Sequence, residues 1–323
     1  MDLETKLRQT GLSGSSVHNY MRIIKLLNND KETDTLDFLK DTDTVIKRIK
    51  TVNQARVKNP GLPSDNTIKS RYTTVLSCIR KTIPLLDNPE YKHIYDIYRA
   101  EFDKISNTIM THLESGEKTE REEVNWVSSD EIKVILNNLK EKAESENATY
   151  KQIQDYLLIS LYTTLPPQRL LEFYKMRVIL GKVPVKLSEE YNYLLFDDKK
   201  MVIYQHKNTI KSGKKEIDLS KYPEFIEAFV LYLIKTRVIP LKTGTKYITF
   251  PLLRHEHGHP WDRPDMIRER LNSIFKKRIS SGMLRKIIST EKAPAKNVMK
   301  EYEEFATEMG HSVSTNSLYY VKN

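Results

Sequence analysis

Tyr193-Leu194-Leu195-Phe196, Met201-Val202-Ile203-Tyr204 and Lys215-Glu216-Ile217-Asp218-Leu219 are the three short runs on which the fold of this 323-residue chain turns. Each is rich in aliphatic and aromatic residues. Turn-forming Asp197-Asp198-Lys199-Lys200 and Ser212-Gly213 separate them. That pattern predicts short strands joined by tight turns, and so a small antiparallel sheet. The rest of the chain reads differently. It has only ten glycines, and long stretches are rich in Leu, Ile, Lys and Glu, a composition that favours helix. The expected class is mainly α, with an all-helical N-terminal part and an α+β C-terminal part.

Outward from the strands, helices are expected at about 223–237 and 263–277, from Ser280 or Ser281 onward, and over roughly 295–308. Upstream, Trp126-Val127 and a cap at Ser128 or Ser129 open helices at about 129–145 and 149–162. The second would pack through Ile153, Tyr156, Leu157 and Leu161. The charged stretch from Glu114 to Asn125 has no hydrophobic period and reads as a linker, which divides the chain into 1–118 and 119–323. In the first part, Ser15-Ser16 precedes a helix over Val17 to Leu27, a short helix covers Thr35 to Leu39, and Thr42 or Asp43 caps a third. After the breakers Pro60-Gly61-Leu62-Pro63, Ser64-Asp65 caps a helix whose apolar stripe is Ile68, Tyr72, Val75, Leu76, Ile79 and Ile83. Asn88-Pro89 begins a long helix ending near His112 or Leu113.

Composition narrows the partners. The 53 Lys and Arg against 43 Asp and Glu leave a net charge of +10, which favours a polyanion, nucleic acid before membrane. No apolar run reaches membrane-spanning length, and no signal peptide is expected. One cysteine, Cys78, makes no disulfide framework and fits a reducing compartment. Basic helix faces carry Lys47, Arg48 and Lys50, then Lys69, Arg71, Arg80 and Lys81, and are expected to lie along a DNA backbone. The turn before the third strand adds Lys207, Lys211, Lys214 and Lys215.

Three segments carry residue types suited to a phosphate. In Thr163-Thr164-Leu165-Pro166-Pro167-Gln168-Arg169-Leu170-Leu171-Glu172-Phe173, two prolines set a turn that puts Arg169 in the first turn of a helix, with Glu172 three residues on to steady the guanidinium. In Gly282-Met283-Leu284-Arg285-Lys286-Ile287-Ile288, apolar residues crowd Arg285, so it reads as inward-pointing, with a structural partner or a phosphate as counter-charge. In Met309-Gly310-His311-Ser312-Val313-Ser314-Thr315-Asn316-Ser317-Leu318-Tyr319-Tyr320, Gly310 ends one helix, Ser312 or Ser314 caps the next, and a tyrosine follows His311 by nine residues. A tyrosine so placed can act as a nucleophile. Arg254-His255-Glu256-His257-Gly258-His259 has histidines at i, i+2 and i+4 in a loop, not the helical pairing of a zinc enzyme, and no metal or other cofactor is expected.

Taken in order, these segments resemble the tyrosine recombinase (phage-integrase-like) family, closest in flavour to those of virophages and large DNA viruses. The resemblance covers the chain from about 126 to its end and rests on Arg169 with Glu172, Lys211 on a hairpin, Arg285 in a Leu-Arg box, His311 in a Met-Gly-His box, and Tyr320. It implies a C-terminal catalytic domain of the DNA breaking-rejoining fold and, by layout, a SAM-like core-binding domain before it. It also implies a recombinase or integrase working on double-stranded DNA as a homotetramer, through a 3′-phosphotyrosyl intermediate and without ATP or metal. The two arginines would clamp the scissile phosphate, His311 would bond to it, Lys211 would protonate the leaving oxygen, and Tyr320, or alternatively Tyr319, would attack. The family's usual histidine three residues before the second arginine is Gly282 here, with Lys286 as a possible helper. A type IB topoisomerase and a DNA-binding protein with a decayed site are the alternatives. If virus-encoded, the protein would work in a viral factory, a virion or a host nucleus.

Overall fold

A computed structural model of the chain describes residues 2–52, 61–207, 213–237, 246–292, 305–312 and 314–315. It divides into two compact units, Met1–Ser115 and Gly116–Asn323. Among the described residues no helix is long and apolar enough to cross a membrane.

The first unit is helical throughout: α1 (Leu3–Gln9), α2 (Gly14–Leu27), α3 (Thr42–Thr51), α4 (Asp65–Thr82) and α5 (Pro89–Ser115). A 3-10 turn over Asp37–Lys40 stands where a short helix was expected at 35–39. Side-chain caps explain the starts: Ser13 accepts from the Ser16 amide, Asp41 from Thr44, and Ser64 from Thr67. Leu7, Ile24, Leu27, Leu39, Ile49, Tyr72, Val75, Ile79 and Tyr98 form the core. Cys78 is one of its buried members, and burial pushes its thiol up to about 12, so it packs as an inert apolar group.

The basic faces of this unit are not as open as the sequence suggested. Arg71 is buried, and its Nη1 donates to the Ile49 carbonyl at 2.8 Å. Arg48 donates from Nε to the Leu27 carbonyl at 2.9 Å and from Nη2 to the Leu26 carbonyl at 2.7 Å. Both arginines therefore close the C-terminal ends of helices, α3 and α2 respectively, and neither belongs in the set expected on a DNA backbone. Lys50 pairs with Glu101 at 2.6 Å, and Lys69 sits over the Phe102 ring. Lys47 and Arg80 remain exposed, and Lys81 is half-buried.

In the second unit the stretch read as a linker holds a short helix, α6 (Glu120–Asn125). Thr119 accepts from the Glu122 amide, and the Glu122 carboxylate accepts from the Thr119 amide, a capping box that a purely hydrophobic-period reading passes over. Two more capping boxes, Ser128 with Glu131 and Thr149 with Gln152, open α7 (Ser129–Glu144) and α8 (Tyr150–Thr163). Then follow α9 (Leu170–Tyr174), α10 (Pro223–Lys235), α11 (Asp265–Phe275), α12 (Ser281–Lys292) and helical residues 305–308.

The sheet has five strands and is mixed, where an antiparallel sheet of three was expected. β1 (Met176–Gly181), β2 (Asn192–Leu195), β3 (Lys200–Ile203), β4 (Lys215–Asp218) and β5 (Tyr247–Pro251) lie in the order β4-β3-β2-β1-β5, with β1 and β2 parallel and the other pairs antiparallel. The parallel pair needs a crossover, and residues 182–191 supply it. Side chains alternate across the pleat. Val178, Leu194, Met201 and Ile217 join the main core, and Ile179, Tyr193, Leu195 and Val202 form a smaller cluster on the other face with Val183 and Leu187 from the crossover. Both faces are thus covered, which is why β1 reads as a continuous apolar run, Val178-Ile179-Leu180, without strand alternation.

The Arg71 assignment makes a prediction. Arg71→Ala removes a buried stem and leaves the Ile49 carbonyl without its donor, so chemical denaturation should show a loss of about 2–3 kcal/mol. A variant as stable as the parent would return Arg71 to the surface.

Candidate active site

Four separate segments of the second unit meet at one place. Arg169 occupies the N-cap of α9, not its first turn, and Glu172 binds back to it: Oε2 accepts from the Arg169 amide at 2.7 Å, and Oε1 lies 3.6 Å from Nη1. The carboxylate is buried, so it holds the guanidinium's position from behind. Gln168, fully buried, donates from Nε2 to the Pro166 carbonyl at 2.7 Å and to the Glu308 carbonyl at 3.2 Å. It ties the proline turn to the segment that carries His311.

Arg285, on α12, is 1 % exposed. Its Nη2 donates to the Met309 carbonyl at 3.3 Å and also meets His311 Nε2. An arginine has only donors, so the imidazole nitrogen facing it must accept, and the ring proton then sits on Nδ1. Burial pushes His311 down to about 3, with the charges of Arg285, Arg169, Lys215 and Lys207 acting in the same direction. His311 is a neutral imidazole across the working pH range.

The histidine's position comes from a helix stop. The Gly310 amide donates to the Thr307 carbonyl at 2.8 Å, the His311 amide to the Ala306 carbonyl at 2.9 Å, and Gly310 takes φ of +78°. This is the left-handed Schellman ending that favours glycine. A second constraint acts at the same residue: a Cβ on Gly310 would lie 2.1 Å from Lys215 Nζ.

Lys215 is the residue that the sequence reading grouped with the hairpin lysines but did not place in the site. It lies on β4 two residues before the buried Ile217, so strand alternation turns both inward. Its Nζ is sealed from solvent and has no hydrogen-bond partner among the described residues. Burial lowers its pKa; Glu172 opposes that shift, and Arg169 and Arg285 add to it. Lys214 points the other way and pairs with Glu216 at 2.7 Å.

Asn192 holds these parts in register. Fully buried at the start of β2, it donates to the carbonyls of Glu172 at 2.9 Å and Gln205 at 3.2 Å, and its Oδ1 accepts from the Gln205 amide at 2.7 Å. The Arg169 turn and the strand leading into the lysine hairpin are therefore joined through one side chain.

Arg169, Glu172 and Arg285 wall a cavity of about 600 Å3, together with Leu171, Lys207 and Gly282. Lys207, expected only on a DNA backbone, thus stands at this site. Lys286 does not; its Nζ pairs with the buried Glu122 carboxylate of α6, so it anchors that helix rather than replacing a missing histidine. Gly282 leaves room in front of α12, where an added Cβ would meet only Ser280 Oγ at 3.6 Å. Lys211, Tyr319 and Tyr320 lie outside the described residues. The histidine loop forms its own turn, with His255 beside Asp262 at 3.4 Å, and among the described residues no three potential ligands gather around a metal position.

Compared with protein-family models, with curated proteins and with solved structures, the chain finds no match in any of the three.

Two expectations follow from this geometry. Because the folded pKa of His311, about 3, lies below the ordinary value of 6.5, its contribution to stability is complete above pH 6.5. It is lost as pH falls toward 3, where the unfolded chain takes up a proton that the folded one refuses. His311→Gln should therefore flatten the acid decline of stability by about one proton between those limits, measured by denaturation at several pH values. Gly310→Ala should be destabilised by about 1–2 kcal/mol from its backbone conformation alone, and should displace Lys215 as well. An unchanged melting temperature in that variant would contradict the Schellman ending.

Proposed function

We propose that the chain is a DNA strand-breaking and rejoining enzyme of the tyrosine recombinase type. The observation that carries this reading is the convergence of Arg169, Arg285, Lys215 and His311 on one site beside the buried carboxylate of Glu172. Such a gathering of cationic side chains suits a phosphate. Two guanidiniums can hold its non-bridging oxygens and neutralise the charge that grows in a five-coordinate transition state. His311, with its proton on Nδ1, donates to the same group. Lysine is the proton donor to the leaving 5′-oxygen; Lys215 takes that role in this proposal in place of Lys211.

The nucleophile is Tyr320, selected by its nine-residue spacing from His311, with Tyr319 as the alternative. Its oxygen attacks phosphorus, the P–O5′ bond breaks, and the phosphate stays on the tyrosine as a 3′-phosphodiester. A 5′-hydroxyl from a partner strand reverses the step, so no ATP is consumed. In this reading the second unit has the DNA breaking-rejoining fold, the helical first unit is a SAM-like core-binding domain, and four protomers act on two duplexes.

A suicide substrate, nicked so that the 5′-hydroxyl fragment diffuses away, tests the reading. Wild type should form a covalent protein–DNA adduct, Tyr320→Phe should form none, and Arg169→Ala or Arg285→Ala should slow its formation by roughly 10² or more. Lys215→Met should slow cleavage of a normal 5′-oxygen leaving group but not of a 5′-thiol one, which needs no proton. No adduct from wild type on any duplex offered would sink the proposal, and an undiminished rate in Lys215→Met would remove that residue from it.

A further inference from the structure

The cavity at the candidate site is larger and less polar than a phosphate needs. Its volume of about 600 Å3 falls within the roughly 300–1,000 Å3 of pockets that enclose organic molecules. Arg169, Arg285 and Lys207 bring positive charge to its lining. Leu171 also lines the cavity and is 55 % exposed, although its neighbours Glu172 and Phe173 are buried. Leu171 contributes nothing to the core that would explain an exposed leucine two residues from a functional arginine. Gly282, also in the lining, keeps a space that a side chain could occupy without a clash. Cationic side chains, an exposed leucine and a volume of this size match the parts of a nucleotide: the phosphate, the flat apolar face of base and deoxyribose, and their bulk.

We infer that this cavity is a mononucleotide subsite. It takes one nucleotide, with the phosphate on Arg169 and Arg285 and the sugar or base laid against Leu171. The inference rests on the phosphodiester reading of the same site and deepens it, because a nucleotide seated here has left the base stack. Drawing a nucleotide out of a duplex costs a few kcal/mol, least where pairing is already weak. Leu171 and the cavity would supply the compensating contact, and a weak base pair beside the cleaved phosphate would be preferred.

Isothermal titration at one ionic strength, with the full chain, separates the parts. The two probes are inorganic phosphate and deoxythymidine 3′-monophosphate. Wild type should bind the nucleotide about tenfold more tightly than phosphate, the return expected from covering one leucine side chain. Leu171→Ser should erase that difference and leave the phosphate affinity as it was. Arg285→Gln should weaken both ligands. Equal affinity of wild type for the two probes, or an equal loss of both in Leu171→Ser, overturns the subsite while leaving the anion site standing. Absence of binding by either probe overturns the subsite and the anion site together. Because Leu171 is exposed, its replacement by serine removes little packing, and a circular dichroism melt matching wild type will show that the variant is folded.

Discussion

Positive charge gathered in a buried place is the constraint on which the second unit depends. Arg285 is 1 % exposed, and the Nζ of Lys215 is sealed from solvent in the same neighbourhood. Among the described residues that line the cavity Glu172 is the one carboxylate, and it is held by the amide and guanidinium of Arg169. Removing charges from water is expensive. The cost must be offset by the rest of the second unit: a core that runs from Val127 through the sheet to Ile287 and includes Phe173, Phe225, Phe229 and Tyr232. The packing of the second unit thus carries the electrostatic cost of its cationic site.

The same constraint explains the uncharged residues around the site. Charges held against mutual repulsion need rigid supports, and the supports here are neutral side chains that bond to backbone. Asn192 links the Arg169 turn to the strand before the lysine hairpin, and Gln168 links that turn to Glu308. Gly310 allows the chain to turn under Lys215 and to present His311 to Arg285 in the same step. A side chain at that glycine would collide with the lysine and strain the turn together, so two independent effects forbid it.

Part of this was legible in the sequence. The three capping boxes are written as Thr119-x-x-Glu122, Ser128-x-x-Glu131 and Thr149-x-x-Gln152, and two of those helices were placed within a residue of their observed starts. The strands β2, β3 and β4 were visible because turn residues bound them. β1 and β5 were not, since a strand covered on both faces loses its alternation and β5 pairs across more than sixty residues of chain. Arg48 and Arg71 were misjudged by charge alone. In α4, Arg71 falls three residues after Ile68 and four before Val75, which puts it on the buried stripe. Lys215 carried a similar signal in its spacing from Ile217. Gln168 and Asn192 gave none, because an amide that braces distant backbone has no local pattern.

Electrostatics then links the protonation of the two titratable groups that stand beside the arginines. His311 and Lys215 are both pushed down, each first by burial and then by Arg169 and Arg285. An anion between the arginines would act on both in the opposite sense, since a negative charge favours the protonated form of either group. Lys215 would gain proton affinity when a phosphate is present and lose it when the phosphate leaves. His311 starts so far below neutrality that it can gain the same interaction and still remain an uncharged donor from Nδ1. A bound anion would thus raise the proton affinity of Lys215 while leaving His311 neutral.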